Sequence, residues 1–345
     1  MSYLRFDNSK IANIVNNYYN IGELKHALPI SNGSANIYLI ETDCGSKYVL
    51  KEFQSGYSKR SIKNEFEITS FLLSNGISTS MFIANNANDF LTIFKRKKIT
   101  LQRFIDGYTP EQHNLPIYLM DDSARLLGKL HKTLSRYEIK RYEFKKNWDD
   151  DKLRAKTKEK FEKLISMAQE KRDNYTEQII SDIQYKIQNI ENIKKFDLDR
   201  KRITYVNSHG DYSLLQLICK ANKIEAVIDF ASACNLPAIW EIIRSFSYAD
   251  SMCRQSIIDT NSLKKYLHNY LSEFPLKHED IMNITYIYIL QLSLSSYGYS
   301  EYLKGKGKNP DDLLQFAFWR TTLLRHMIEN EHDIIDDLSE WFSKR

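Results

Sequence analysis

The spacing of apolar residues changes period several times along the chain. Residues 1–19 carry Ile11, Ile14, Val15 and Tyr18 at helical spacing. From Lys25 to Phe53 the period drops to two in three runs, 26–30, 36–42 and 47–53. These are separated by Ser31-Asn32-Gly33-Ser34 and Asp43-Cys44-Gly45-Ser46, both rich in turn formers. This pattern predicts a three-stranded antiparallel meander. Helical spacing returns over 57–73, with Ile62, Phe66, Thr69, Leu72 and Leu73 on one side, and strands follow near 81–84 and 90–94. A basic patch, Lys95 to Lys98, leads into a strand over 99–107 that ends in Gly107, a connector between two halves. Beyond it the text is helical over 116–134, 148–198, 238–252 and on to Arg345. One exception lies at 203–233, where the apolar runs 214–219 and 224–228 flank the polar turn Lys220-Ala221-Asn222-Lys223 and predict a tight β-hairpin. The expected fold class is α+β, with an antiparallel sheet in residues 1–104 and a mainly helical region over 105–345 that includes the hairpin.

Composition narrows this picture modestly. A chain of 345 residues, 42% hydrophobic and 12% aromatic, has the core of a globular protein and the length for two lobes. Its most apolar segment, 284–294, is too short to span a bilayer and is interrupted by Gln291 and Ser293, which predicts a buried helix. The N-terminal residues lack a basic segment followed by an apolar run and a small-residue cleavage site, so a cytoplasmic location is expected. Four cysteines without CxxC spacing predict free thiols and no zinc site. The net charge of +5 arises from 49 basic and 44 acidic residues. The basic residues of 145–172 and 194–202 alternate with acids, the pattern of solvated helix faces more than of a nucleic-acid surface.

The chemistry concentrates around the hairpin. His209, Gly210, Asp211 and Gln216 precede it, and Asp229 follows the apolar run Ala226-Val227-Ile228, 18 positions after Asp211. Because a hairpin folds back on itself, these two carboxylates and one carboxamide are expected at one sheet edge. Oxygen donors of this kind suit Mg²⁺, which keeps part of its shell for water and substrate phosphates. The link Ser31-Asn32-Gly33-Ser34 is small enough for backbone N–H groups to approach phosphates, although by itself it more often describes an ordinary hairpin loop. Lys51 ends the run Val49-Leu50-Lys51, and Glu65 on the next helix stands ready to meet its ammonium. His131, on the helix over 116–134, reads as a packed core histidine, and the loop 304–310 as a basic surface connection.

In these motifs the chain resembles the aminoglycoside phosphotransferase and choline kinase-like superfamily, whose members share the protein kinase fold. That family's H-G-D-x-x-x-x-N corresponds to His209-Gly210-Asp211-Tyr212-Ser213-Leu214-Leu215-Gln216, and its strand ending in I-D-F to Val227-Ile228-Asp229-Phe230. Tyr48-Val49-Leu50-Lys51 matches its lysine strand, and Glu65 lies eleven residues before Gly76-Ile77 as the family's helix glutamate does. The resemblance covers about residues 20–250. It implies a bilobal kinase-like fold in which Lys51, held by Glu65, contacts the α and β phosphates of ATP. Ser31, Asn32, Gly33 and Ser34 would form the phosphate loop, and the backbone from Arg103 to Ile105 would meet the adenine. Asp211 would orient the acceptor hydroxyl and accept its proton, while Asp229 would bind Mg²⁺. Gln216 departs from the family's asparagine metal ligand by one methylene, and Glu241 stands where relatives place an aspartate that braces the catalytic loop. The implied function is ATP-dependent phosphorylation of a small, cationic acceptor such as an aminoglycoside or amino alcohol, with acids in 143–151 or 329–337 as candidate recognition groups. The partners are then a nucleotide and a small molecule, not nucleic acid or membrane. A silent kinase-like scaffold, similar to spore-coat relatives, is the alternative that Gln216 favours.

Overall fold

A computed structural model of the protein describes residues 6–31, 35–53, 56–139, 150–193, 202–306 and 309–345. The chain divides into two compact units, Met1–Thr109 with Gln216–Ser232, and Pro110–Leu215 with Ala233–Arg345.

The first unit opens with helix α1 (Asn8–Tyr18), whose N-terminal N–H groups are capped by the Asp7 carboxylate accepting from Lys10. Strands β1 (Leu24–Ser31), β2 (Ala35–Thr42) and β3 (Lys47–Phe53) form the expected meander, and α2 (Lys59–Ser74) follows. Then come β4 (Phe82–Ile83), β5 (Thr92–Phe94) and β6 (Lys97–Arg103). The sheet runs in the order β1-β2-β3-β6-β4, antiparallel throughout, with β5 paired to β6. The basic patch is a hairpin turn. Lys95 and Arg96 take the left-handed conformation, at φ 48° and 65°, that joins β5 to β6, and Lys97 and Lys98 belong to the strand. The two-residue period of β2 and β3 divides the sheet by face. Tyr38, Ile40, Leu50, Ile99 and Leu101 are buried against Ile11, Ile14 and Val15 of α1, each fully buried aliphatic chain contributing about 1.5–3 kcal/mol. Ile37, Leu39 and Val49 are half-buried, and in the same alternation as Lys51.

The second unit contains α3 (Ile117–Leu134), α4 (Asp151–Lys171), α5 (Thr176–Asn192) and β7 (Tyr205–Ser208). The chain then returns to the first unit as β8 (Leu217–Lys220) and β9 (Lys223–Val227), joined by Ala221 and Asn222 at φ 46° and 64°. Leu214–Gln216 is a 3-10 turn, not the start of the strand, which begins at Leu217. The hairpin belongs with the sheet and not with the helices because its backbone is spent there. Tyr108 and Cys219 exchange N–H···O=C bonds of 2.9 and 2.8 Å, and Val227 donates to Ser78 at 3.1 Å.

Back in the second unit, β10 (Cys234–Pro237) pairs antiparallel with β7, Ser208 opposite Cys234. This two-stranded sheet corrects the expectation of an all-helical remainder; four-residue strands are too short to show alternation. The unit closes with α6 (Ala238–Ala249), α7 (Thr260–Leu271), α8 (His278–Met282), α9 (Ile284–Leu294), α10 (Tyr299–Leu303), α11 (Pro310–Glu329) and α12 (Glu331–Ser343). Helix α6 stops at Ala249, short of Met252, and the charged helices expected over 148–198 are α4 and α5, separated where Arg172 turns left-handed at φ 50°. Helix α9 is buried on nearly every side. No described helix is long and apolar enough to cross a membrane. Gly128 of α3 lies against α7, where a Cβ would stand 2.7 Å from the Tyr270 carbonyl oxygen. The four cysteines are free thiols.

Candidate active site

In the first unit the register of the sheet sets Lys51 opposite Ile37 of β2 and Thr100 of β6. Its Nζ lies 3.2 Å from Glu65 Oε1 and 2.7 Å from Asp229 Oδ1. The lysine and glutamate side chains are 8% and 1% exposed, and that of Asp229 is 41% exposed. Burial alone would lower the pKa of this lysine; the two carboxylates outweigh it and hold the ammonium above its ordinary range. Asp229 takes a left-handed backbone, φ 66°, two residues past the end of β9, a conformation that L-residues other than asparagine and aspartate rarely adopt. Gln216 is fixed beside it, since its carbonyl accepts the Ile228 N–H at 2.9 Å.

The second unit carries Asp211, half-buried between β7 and the 3-10 turn. Its Oδ1 accepts from Arg244 Nη2 at 2.5 Å, and the same guanidinium donates to the Tyr212 carbonyl at 3.0 Å. Arg244 lies over the ring of Tyr248 at 4.8 Å. Burial would lower its pKa, but Tyr248, Asp211, Tyr288 and Glu241 raise it. One turn earlier on α6, buried Glu241 accepts the Tyr212 N–H at 3.0 Å and meets His131 Nε2 at 3.2 Å. His131 also bonds Ser208 Oγ at 2.6 Å and Tyr270 OH at 2.7 Å, so it is a fully buried core histidine. Burial would raise the Glu241 carboxyl; its bonds to and the charges of His131, with His209 and the Tyr212 N–H, bring it below its usual value. Glu241 thereby braces the His209-Gly210-Asp211 turn from beneath.

The structure thus brings Lys51, Glu65 and Asp229 into direct contact with Gln216 alongside, and holds Asp211 separately on Arg244. Asn32, Gly33 and Ser34 lie outside the described residues, and Ser31 is described only as the backbone end of β1. Arg103 and Phe104 spend their N–H groups on Met81 and Lys47, at 2.8 and 3.2 Å, and Ile105 is half-buried. A cavity of about 500 Å³ opens beside Arg103 and Phe104, but Lys51, Glu65 and Asp229 do not line it. Arg244 lies outside the motifs that mark the site in the sequence. Its signal was its position, three residues after Glu241 on one helix face. Among the described residues no three His, Cys, Asp or Glu side chains cluster as a metal cage.

A kinase-like sheet with a lysine, glutamate and aspartate in contact, and a helical unit bearing an arginine-held aspartate after HG, define a phosphotransferase of protein kinase-like fold. The chain belongs to the phosphotransferase enzyme family, whose model matches residues 26–273. It is an enzyme, a small-molecule phosphotransferase. Solved structures with the same fold include an amicoumacin kinase in complex with AMP-PNP, Ca²⁺ and Ami, at 14% identity and TM-score 0.64 over 93% of this chain and 94% of that one. An aminoglycoside phosphotransferase from Alicyclobacillus acidocaldarius aligns at 12% identity and TM-score 0.64, covering 100% and 98%. A choline kinase from Cryptosporidium parvum aligns at 16% identity and TM-score 0.61, covering 96% and 98%. No curated protein sequence matches the chain.

Proposed function

We propose that the protein transfers the γ-phosphoryl group of ATP to a hydroxyl of a small molecule, with Mg²⁺. The observation that carries this reading is the Lys51 ammonium held between buried Glu65 and half-exposed Asp229. An ammonium fixed in that way is a point charge for the α and β phosphates. Asp229 and Gln216 fit Mg²⁺, since they offer hard oxygen donors, a carboxylate and a carboxamide, at partly exposed positions that leave room for phosphate and water. When bound, the ion neutralises charge on the phosphates. In the reaction the acceptor oxygen forms the new bond to the γ-phosphorus, the bond to the ADP oxygen breaks, and Asp211 takes the acceptor's proton. Arg244 fixes one oxygen of Asp211 and the Tyr212 carbonyl, and so orients the carboxylate. Positioning and electrostatics supply most of the catalysis.

Of the acids nominated for a cationic acceptor, Asp150 caps α4, Glu331 accepts from Thr285 and Asp337 pairs with Lys264, while Glu329, Asp333 and Asp336 are exposed and Glu143 and Asp149 lie outside the described residues. The acceptor panel should therefore hold aminoglycosides, amino alcohols and anionic hydroxy compounds together. ATP consumption over that panel tests the function. Asp211→Asn should lower turnover by about 10²–10⁴-fold while keeping the thermal stabilisation given by ATP with Mg²⁺. Full turnover in this variant would sink the mechanism, and no stabilisation of the wild type by millimolar nucleotide would favour a silent scaffold.

A further inference from the structure

Arg320 of α11 is 7% exposed, yet among the described residues no carboxylate pairs with it. Its Nη1 donates to Ser295 Oγ at 2.9 Å, and its guanidinium lies 5.5 Å from the Phe316 ring centre. Its Nε is buried without any partner. A buried guanidinium with one neutral hydrogen bond is costly unless an anion completes it. The lysine beside it does not relieve this. Lys186, 2% exposed, donates to the carbonyls of Leu292 and Ser295 at 2.8 and 3.0 Å, and burial with the charge of Arg320 pulls its pKa well below the ordinary lysine value. The nearby carboxylate, Asp182, is taken by Tyr299 OH at 2.7 Å and by Arg325 at 3.2 Å. Gly298, at φ 92°, presses the Ser295 loop onto α11, where a Cβ would collide with the Leu313 carbonyl.

This unpaired charge connects to the catalytic aspartate through an unbroken run of contacts within one unit. Arg244 binds Asp211 and lies 4.8 Å over Tyr248; the Tyr248 ring is 5.9 Å from Phe316, which carries Arg320. Tyr297, 48% exposed, lies 6.1 Å from the same Phe316 and feels the charges of both Arg320 and Asp211.

We propose that Arg320 is the anion-binding residue of the acceptor site, and that the acceptor carries a carboxylate together with an apolar or planar body that lies along Tyr248, Phe316 and Tyr297. The planar guanidinium fork matches a carboxylate in two parallel bonds. The inference rests on the phosphotransferase reading above, which places the acceptor hydroxyl at Asp211. It predicts that a plain amino alcohol is a poor ligand.

The test compares three matched compounds on the full chain: mandelate, its cationic counterpart 2-amino-1-phenylethanol, and neutral 1-phenyl-1,2-ethanediol, at equal ionic strength. Mandelate should raise the melting temperature and bind roughly tenfold or more tighter than the other two. Arg320→Gln should remove that preference and Arg320→Lys keep part of it, with the stabilisation by ATP and Mg²⁺ the same in all three proteins. Equal or better binding of the cationic or neutral compound, no effect of mandelate, or wild-type mandelate affinity in Arg320→Gln would each overturn the proposal. Should Arg320→Gln not fold, the ranking of the three compounds on the wild type decides alone. Loss of the nucleotide effect with the mandelate preference intact would fail the kinase reading and leave the anion site standing.

Discussion

Lys51 sits where its charge is most constrained, between a carboxylate that is wholly buried and one that is 41% exposed. The two partners differ in weight. The Asp229 contact is partly screened by solvent and contributes little to stability, whereas removing one member of the Lys51–Glu65 pair leaves a charge in the interior. Lys51→Met should therefore cost about 3–5 kcal/mol in denaturant unfolding, and Lys51→Met with Glu65→Leu should be less destabilised than Lys51→Met alone. A double variant that simply sums the two losses would show that the pair is not coupled. At this scale the sequence was informative about Lys51 and Glu65, because a strand-ending lysine followed by an acidic helix is a local pattern. The Lys51–Asp229 contact was not legible. It joins residues 178 apart and depends on Val227 and Cys219 tying the hairpin to the sheet.

Among the elements, helix α3 shows how packing overrides propensity. Gly128 costs about 1 kcal/mol relative to alanine in a helix interior. Replacing it would put a Cβ 2.7 Å from the Tyr270 backbone oxygen and 2.9 Å from Glu273 Cβ on the neighbouring chain segment. Backbone cannot give way as a side chain can, so the clash wins. Gly128→Ala should lose about 1–3 kcal/mol, read from the urea midpoint; a gain in stability would mean that α3 and α7 separate at no cost. A glycine inside an amphipathic helix is a local signal of such a close approach. The hairpin turn was equally visible, since Lys220-Ala221-Asn222-Lys223 is a polar interruption between apolar runs. Strands β7 and β10 were not, because each is four residues long and they pair across the intervening residues 209–233, whose fold must form first. The 3-10 turn at Leu214–Gln216 was mistaken for strand because its leucines are apolar for a different reason: Leu214 is buried and Leu215 is 42% exposed.

For the molecule as a whole, acid sensitivity should reflect Glu241. Its carboxyl is held below its ordinary value in the folded state, so it stabilises the fold above the unfolded pKa and ceases to as pH falls through the lower, folded one. The window lies below about pH 4.3, the ordinary value for glutamate. Melting temperatures measured on descending pH should fall more steeply there for the wild type than for Glu241→Gln; parallel curves would remove Glu241 from acid unfolding. The general architecture, sheet first and helices after, followed from periodicity, and the motif around Asp211 and Asp229 identified the family. Arg320 escaped notice because an isolated arginine on a charged helix has no sequence signal; only its burial without a counter-ion marks it.

The first unit is also discontinuous, and this has a consequence during translation. Residues up to Thr109 leave the ribosome more than a hundred positions before Gln216–Ser232, which complete the same unit. Until that hairpin is synthesised, the Ser78 carbonyl and the Tyr108 backbone lack their partners, and the Lys51 ammonium has Glu65 without Asp229. The nascent sheet therefore waits, with an unpaired edge, for a segment that arrives after α3, α4 and α5, and its final closure is a late event in the birth of the enzyme.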